Sequence, residues 1–348
     1  SLIRNPLKPG SILNKEKNDK IGITTLTLSN GAKVTYKKTD FKNDEILFEA
    51  LSFGGSNLIS NAEYEKVQWA MGGLTEAGIS GMKLNDLNKF MTGKVARVYP
   101  YVGSFSEGMN GSAAPKDFEY LMQMIHAYFT DLNFDQEAFE SYKAKESSFM
   151  ANMSSMPSMF FQKELYSYLL KDNPRFFGII PDEAAWKKTD YKLAYDKYKE
   201  RFANAGDFNF FFVGNIDEQK LEEFSIQYLA SLPSVSTKEK AVDLGHRMLK
   251  GEHKKIINKG KDPKSTVNIM FYGDTNYDAK EALAFRALGE VLTIKLVEEL
   301  RENESGVYGV SARGSMNKVP NGSYNFSINF PCYKRKVLMQ SCSRILGS

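Results

Sequence analysis

The chain has 348 residues, of which 42% are hydrophobic and 25% charged, and its 46 lysines and arginines nearly balance its 42 aspartates and glutamates. The length favours two domains, and the composition is typical of a globular protein and excludes extensive disorder. The net charge of +4 is small for this length and gives no indication of nucleic-acid binding.

Two further classes of protein are not favoured by the sequence. Cys332 and Cys342 are the only cysteines, and they form neither a disulfide framework nor a metal motif, so their redox state is left open. No apolar run reaches the roughly 18 residues that a membrane-spanning helix needs, so we predict no membrane span. The first residues lack the apolar core of a signal peptide, which indicates either a cytoplasmic protein or a chain that begins after its targeting segment.

The first part of the chain predicts a linker and then an α+β domain. Residues 1–20 contain Pro6, Pro9 and Gly10 without a hydrophobic period, which is typical of a linker. Residues 21–235 form the first predicted domain. Its strands are predicted at 23–28, 32–37, 45–53, 94–105, 107–112 and 208–213. Its main helices are predicted at 60–71, 84–91, 115–129, 135–153, 157–170, 190–202 and 217–229.

Residues 236–348 form the second predicted domain, which repeats the same order of elements. Strands are predicted at 254–258, 266–271, 307–313 and 324–330, with a long helix at 278–303. In both domains a glycine follows an early strand and a helix comes next, which indicates an internal duplication. The predicted fold class is therefore α+β, with two tandem similar domains that each pack a mostly antiparallel sheet against helices. The second copy is shorter than the first, and we expect it to be C-terminally incomplete.

Arg301 and Tyr308 lie seven residues apart at the corner where the long helix ends and a strand begins. A guanidinium group binds a carboxylate or a carbonyl oxygen through a planar fork of donors, and a phenol donates a hydrogen bond to a developing oxyanion. The pair predicts a substrate clamp. The alternative is that both residues only cap or cover a helix end.

The three histidines exclude a two-histidine zinc motif within this sequence. His126, His246 and His253 have no second histidine at a spacing of three to five residues and no neighbouring cysteine. The phosphate-binding glycine loop, the dinucleotide fingerprint and the serine nucleophile elbow are also absent from the sequence. A carboxylate site at Glu76 or Glu107 is a disfavoured alternative, since carboxylates beside glycines usually cap loops.

Five features of the sequence occur together. They are LSNGAKV at 28–34, FGGS at 53–56, the strand pair 101–112 followed by PKD at 115–117, FFVGN at 211–215, and the pair Arg301 and Tyr308. Together they resemble the insulinase and pitrilysin family of zinc peptidases, the inverzincins. The resemblance covers about residues 21–331. It implies two related halves, each of two similar α+β domains, around a chamber.

The resemblance also implies which half this is. In an active half, the helix after the Gly-Gly strand carries H-x-x-E-H, whose histidines bind zinc and whose glutamate activates water. Here residues 60–70 read SNAEYEKVQWA and contain no histidine, and Glu146 stands where the family's distal glutamate ligand might fall. The chain is therefore similar to the C-terminal, non-catalytic half, in which the Arg and Tyr grip substrate at the zinc of the other half.

The expected function is that of a substrate-binding half of a zinc metallopeptidase that hydrolyses peptides or small proteins. Arg301 and Tyr308 would be its substrate-binding and oxyanion residues. Zinc would be bound by an N-terminal half or subunit, and this chain alone would be inactive. The alternative is a non-enzymatic peptide-binding or structural subunit of the same fold. The family resemblance favours a bacterial periplasm or cell envelope over the cytoplasm.

Overall fold

The computed structural model describes residues 1–303 and 309–332. Contacts between Cα atoms divide the chain into two compact units. Unit 1 comprises Ser1–Ser167 and Lys171–Leu244, and unit 2 comprises Tyr168–Leu170 and the chain from Gly245 onward. Within the described ranges, no helix is long and apolar enough to cross a membrane.

Unit 1 is built on a seven-stranded sheet. The strands are β1 (Ile12–Asn18), β2 (Ile23–Leu28), β3 (Lys33–Lys38), β4 (Ile46–Phe53), β5 (Ala96–Val102), β6 (Ser106–Ala113) and β7 (Asn209–Gly214). Their order across the sheet is β1-β2-β3-β7-β4-β6-β5. Only the pairing of β3 with β7 is parallel, so the sheet is mostly antiparallel, as the sequence predicts.

Strict alternation along β4 and β7 gives the sheet one core face. Phe48, Phe210 and Phe212 point into the core, whereas their neighbours in the sequence are exposed. This is the period of two that a half-buried strand requires. The rings of Phe48 and Phe212 stack with their centroids 5.2 Å apart, and Phe118 meets Phe212 edge-on at 5.6 Å. The helix that begins at Phe118 therefore packs directly on the centre of the sheet.

The helices among residues 1–244 follow the predicted order. They are α1 (Asn61–Val67), α2 (Leu84–Phe90), α3 (Phe118–Thr130), α4 (Gln136–Ser154), α5 (Pro157–Leu169), α6 (Glu183–Lys188), α7 (Tyr191–Arg201) and α8 (Glu218–Phe224). The capping box predicted at Ser60 is present, since the Ser60 side chain accepts a hydrogen bond from the Glu63 N–H at 3.3 Å. The helix α1 is shorter than predicted, because it ends at Val67; residues 68–70 form a turn that leads into a 3-10 segment (Met71–Ala77).

Residues 1–20 do not form the linker that the sequence predicts. The strand β1 pairs with β2 along the sheet edge, and Leu2 is 0% exposed in the core of unit 1. The Leu2 N–H donates to the Gln123 side chain at 2.9 Å. The prediction was wrong because nearly every residue of β1 is exposed, so this edge strand has no hydrophobic alternation.

Unit 2 contains a three-stranded antiparallel sheet and one long helix among its described residues. The elements are β8 (Ser265–Asp274), α9 (Ala279–Asn303), β9 (Ser311–Asn317) and β10 (Ser323–Cys332), with the strand order β8-β10-β9. The helix and the strands β8 and β10 occur near their predicted positions, whereas β9 begins four residues after the start of the strand predicted at 307–313, whose first two residues lie outside the described ranges. The strand predicted at 254–258 is absent. Ile256 is 71% exposed, so the apolar pair at 256–257 has no core to face.

Candidate functional site

The predicted clamp lies at the junction of α9 and β9. Arg301 belongs to the last turn of α9, and Tyr308 lies outside the described residues. Their predicted roles as substrate-binding and oxyanion residues therefore remain predictions. The described structure does define the two elements between which the corner lies.

The helix α9 and the strand β9 are fastened to each other about two turns before the corner. The Thr293 hydroxyl oxygen accepts a hydrogen bond from the Ala312 N–H at 2.9 Å, and its single proton lies between the carbonyl oxygens of Gly289 at 2.8 Å and Ala312 at 3.1 Å. Gly289 allows the close approach, because a Cβ at this position would lie 3.0 Å from the Ala312 oxygen. With about 1.5 Å of rise per residue, Arg301 stands roughly 12 Å beyond Thr293 along the helix. The two attachment points of the connecting segment are thus held in a fixed relation.

The second candidate region is the entrance to α1, which corresponds to the helix that the family resemblance implies for zinc ligands. The strand β4 ends at Phe53 and is followed by Gly54 and Gly55, and Gly55 has φ +66°. A Cβ at Gly55 would lie 2.5 Å from the Gly103 carbonyl oxygen, so glycine is required both by the dihedral angle and by the space. The helix that follows carries Tyr64 on its first turns and no histidine.

Arg175 is a buried cation that binds the entrance to α1. Its guanidinium group donates to the carbonyl oxygens of Ile59 and Ser56, both at 2.8 Å, and to the Asn61 Oδ1 at 3.1 Å. The same group lies 4.0 Å from the centroid of the Tyr64 ring. Burial lowers the pKa of Arg175, and the guanidinium group remains charged because its ordinary pKa lies far above neutral pH. This interaction was missed from the sequence because its partners lie more than 100 positions upstream.

Glu107 forms a buried charged cluster on the other side of the Gly-Gly segment. Its carboxylate is 2% exposed, accepts a hydrogen bond from the Gly55 N–H at 2.8 Å, and lies 3.5 Å from Arg201. Arg201 also forms an ion pair with Glu239. Burial raises the pKa of Glu107 to about 7, although the Gly55 N–H and Arg201 both act to lower it. The carboxylate thus caps a glycine loop, which is the role that carboxylates beside glycines usually have.

Two of the three histidines have hydrogen-bonding partners for their rings. Thr130 Oγ1 lies 3.2 Å from Nδ1 of His126, and burial lowers the pKa of His126 to about 4, so this imidazole is neutral. In unit 2, the Tyr168 hydroxyl and the Lys250 carbonyl oxygen contact the two ring nitrogens of His253. Glu146 lies in α4. Across residues 1–303 and 309–332, no group of three or more His, Cys, Asp or Glu side chains could hold a metal ion. The described donor set therefore does not fit zinc.

Unit 1 also has a cleft of about 750 Å³ beside the end of α3. Its walls include Phe134, Tyr195, Lys83 and Lys199. The Phe134 and Tyr195 rings meet edge-on at 5.2 Å, and the Lys199 ammonium lies 5.2 Å from the Tyr195 centroid. The same walls include Asp131 and Asp135, so acidic as well as basic side chains lie beside the rings.

Comparison with known proteins gives a family match in the second half of the chain. Residues 194–340 match the family described as the peptidase M16 inactive domain, a range that contains both Arg301 and Tyr308. The probable zinc protease PqqL of Haemophilus influenzae is 24% identical over 335 residues, which cover 94% of this chain and 35% of that protein. The chain spans between 21% and 35% of the length of the curated relatives that it matches.

Solved structures share the fold. The periplasmic protease PqqL from Escherichia coli matches with a TM-score of 0.82 at 20% identity, over 100% of this chain and 38% of that one. A peptidase M16 inactive domain from Pseudomonas fluorescens matches with a TM-score of 0.64 at 15% identity, over 93% of this chain and 83% of that one. The second match shows that the fold of this chain also occurs in a molecule of comparable length.

Proposed function

We propose that this chain is the substrate-binding half of a zinc peptidase of the insulinase and pitrilysin family, peptidase family M16, whose zinc lies in another half; residues 194–340 match the inactive domain of that family. The observation that carries the proposal is α1. This helix follows the Gly-Gly end of β4, as the family pattern requires, yet it has no histidine, and its entrance is held by Arg175 instead of a metal.

The finer part of the proposal concerns Arg301 and Tyr308. Arg301 binds the backbone or a carboxylate of the peptide, and Tyr308 donates a hydrogen bond to the oxyanion that forms at the zinc of the other half. Support comes from the attachment of α9 to β9 through Thr293, which gives the connecting corner fixed ends. A donor aimed at a developing charge needs such a rigid support.

The partners follow from the same proposal. They are an N-terminal zinc-bearing half or subunit and a peptide or small-protein substrate. We infer a periplasmic or envelope location, since a solved structure of this fold is a periplasmic protease. Zinc would be needed for activity of the assembly, and the chain alone would not hydrolyse peptides.

The first experiment measures hydrolysis of a quenched peptide library by the chain alone and then with the zinc-bearing half added. Activity that appears only on addition, and is lost with a chelator, is the expected result. Activity of the chain alone would overturn the proposal. Peptide binding without activity in either case would favour a non-enzymatic subunit of the same fold.

The second experiment tests the clamp in the assembled enzyme. Tyr308→Phe should lower kcat about 100-fold with little change in KM, as expected for an oxyanion donor. Arg301→Met should raise KM. Arg286→Met and Tyr277→Phe are matched controls in unit 2, since both residues are exposed, and both should leave the kinetics unchanged. An unchanged kcat for Tyr308→Phe would remove this residue from the mechanism.

A further inference from the structure

Four methionines occupy every third position across the turn between α4 and α5. We call Met150, Met153, Met156 and Met159 the methionine track. The whole chain has 14 methionines in 348 residues, so four within ten positions are not explained by composition. The proposed peptidase role makes no use of this segment.

The backbone makes successive members of the track neighbours. Met150 and Met153 lie three apart in α4 and therefore on one face of it. At the end of α4 the Met156 N–H donates to the Met153 carbonyl oxygen at 3.0 Å. Such a bond between residues three apart is the 3-10 pattern, in which side chains three apart eclipse each other.

The last pair is set by the start of α5. The Met156 carbonyl oxygen accepts the first hydrogen bond of α5, from the Phe160 N–H at 3.0 Å, so Met156 occupies the N-cap position. Met159 is then the third residue of the helix. An N-cap side chain lies alongside the third helical residue, which is the geometry of a capping box. The four thioethers thus follow one continuous side of the segment.

The track is accessible and does not belong to the core. Met156 is 52% exposed, and the other three methionines are half-buried. In α4 only Phe139 is buried, and in α5 only Leu169. Core packing therefore does not account for methionine at these four positions.

The residues between the methionines argue against an apolar docking surface. They are Ala151, Asn152, Ser154, Ser155, Pro157 and Ser158. Phe149, which is 55% exposed, adjoins the track at Met150, and the half-buried Phe160 adjoins it at Met159. The positions between the methionines are small and mostly polar, so the thioethers themselves do not form a contiguous apolar patch. What the segment does concentrate is sulfur.

We propose that the methionine track binds Cu(I). Thioether sulfur is a soft, neutral ligand that prefers Cu(I) over harder divalent ions. The methionine side chain has three rotatable bonds, so several sulfurs can close around one ion without moving the backbone. Because a thioether has no proton to lose, binding at the track is independent of pH, unlike binding by cysteine or histidine.

The test is an anaerobic titration of the full chain with Cu(I), kept reduced by ascorbate, followed by NMR of its labelled methionine methyl groups. We expect the methyl signals of Met153, Met156 and at least one flanking methionine of the track to shift together and saturate at one equivalent, with Ag(I) giving the same pattern. Zn²⁺ should leave these signals in place. The methyl signals are the deciding readout because the thiols of Cys332 and Cys342 also attract Cu(I).

Two double variants complete the experiment. Met153→Leu with Met156→Leu should raise the dissociation constant measured at the remaining methyl signals at least tenfold, and leucine nearly conserves the volume. Met82→Leu with Met91→Leu is the matched control at half-buried methionines elsewhere in unit 1, and should bind as the wild type does. Unmoved methyl signals of the track, or unchanged affinity in the first double variant, would overturn the proposal.

Discussion

Replacing Arg175 by methionine tests whether the entrance to α1 depends on this one cation. Methionine keeps the length of the side chain but removes every donor, so the Ile59 carbonyl oxygen loses the guanidinium and the Ser56 carbonyl oxygen keeps only the Ile59 N–H, at 2.9 Å. A hydrogen bond to a charged group contributes about 1.5–3 kcal/mol, and a cation over an aromatic ring contributes about 0.5–2 kcal/mol. Against these gains stands the burial of the guanidinium, which also lowers its pKa.

The expected net loss of unfolding free energy is about 2–4 kcal/mol for Arg175→Met, after the burial of the charge is deducted. In a unit of this size each kcal/mol shifts Tm by about 2–4 °C, which gives a decrease of about 4–16 °C. Arg175→Lys should fall between the wild type and Arg175→Met, because an ammonium group cannot reach both carbonyls with a planar fork.

Tryptophan fluorescence during urea unfolding is a suitable assay. Trp69 and Trp186 are the only two tryptophans of the chain, and both belong to unit 1, so the signal reports that unit alone. Arg97→Met is the control, since Arg97 is exposed on β5, and it should change stability by less than about 0.5 kcal/mol. If Arg175→Met unfolds at the same urea concentration as this control, the interaction at α1 contributes nothing and our reasoning is refuted.

Three further predictions concern the neighbouring residues. Glu107→Gln should become more stable relative to the wild type as pH rises from about 4.5 to about 7. The pKa of Glu107 is raised in the folded state, so the unfolding free energy of the wild type falls across that window while that of the variant does not. A stability difference that stays constant from pH 4 to pH 8 in urea titrations would contradict this. Gly55→Ala should lower the free energy of unfolding by about 2–5 kcal/mol, because the new Cβ is strained at positive φ and overlaps the neighbouring backbone. Gly93→Ala, where φ is also positive but the space is open, should lower it by about 1–2 kcal/mol. Equal losses measured by fluorescence would show that the backbone around Gly55 moves to accommodate the Cβ. Thr293→Val should destabilise unit 2 by about 1–3 kcal/mol because it leaves the Ala312 N–H unpaired. Calorimetry of the full chain would detect this as a transition at lower temperature. An unchanged transition would mean that the Thr293 hydrogen bond does not contribute to the attachment of α9 to β9.

What could be predicted from the sequence was local. The alternation in β4 and the Ser60 capping box are patterns within a few residues, and both occur where they were expected. The binding of Arg175 to α1 joins residues over 100 positions apart, and no local pattern encodes it. Edge strands are also difficult to predict from sequence. The strand β1 pairs with only one neighbouring strand, and almost all of its side chains are exposed to water.

For the candidate site, too, the local features could be predicted from the sequence and the long-range contacts could not. The absence of histidine from α1 and the positions of Arg301 and Tyr308 can be seen in the sequence, and they are enough to indicate the family resemblance without any knowledge of contacts. The buried Glu107 was recognised only as a possible loop cap. Its ion-pair partner Arg201 comes from a distant helix, and Glu239 comes from a segment without regular structure.

The place of β7 in the sheet has a consequence for how the protein is made. This strand lies between β3 and β4, pairing Lys33 with Asn209 on one side and Leu47 with Val213 on the other. A ribosome that adds about 5–20 residues per second needs roughly 10–35 s to travel the 209 − 33 = 176 residues between the first two partners. Throughout that time the two strands that will flank β7 have open edges, which are templates for pairing with other chains. The nascent protein is therefore most prone to aggregate before residue 214 has left the exit tunnel, and fragments that end before β7 should inherit the same weakness.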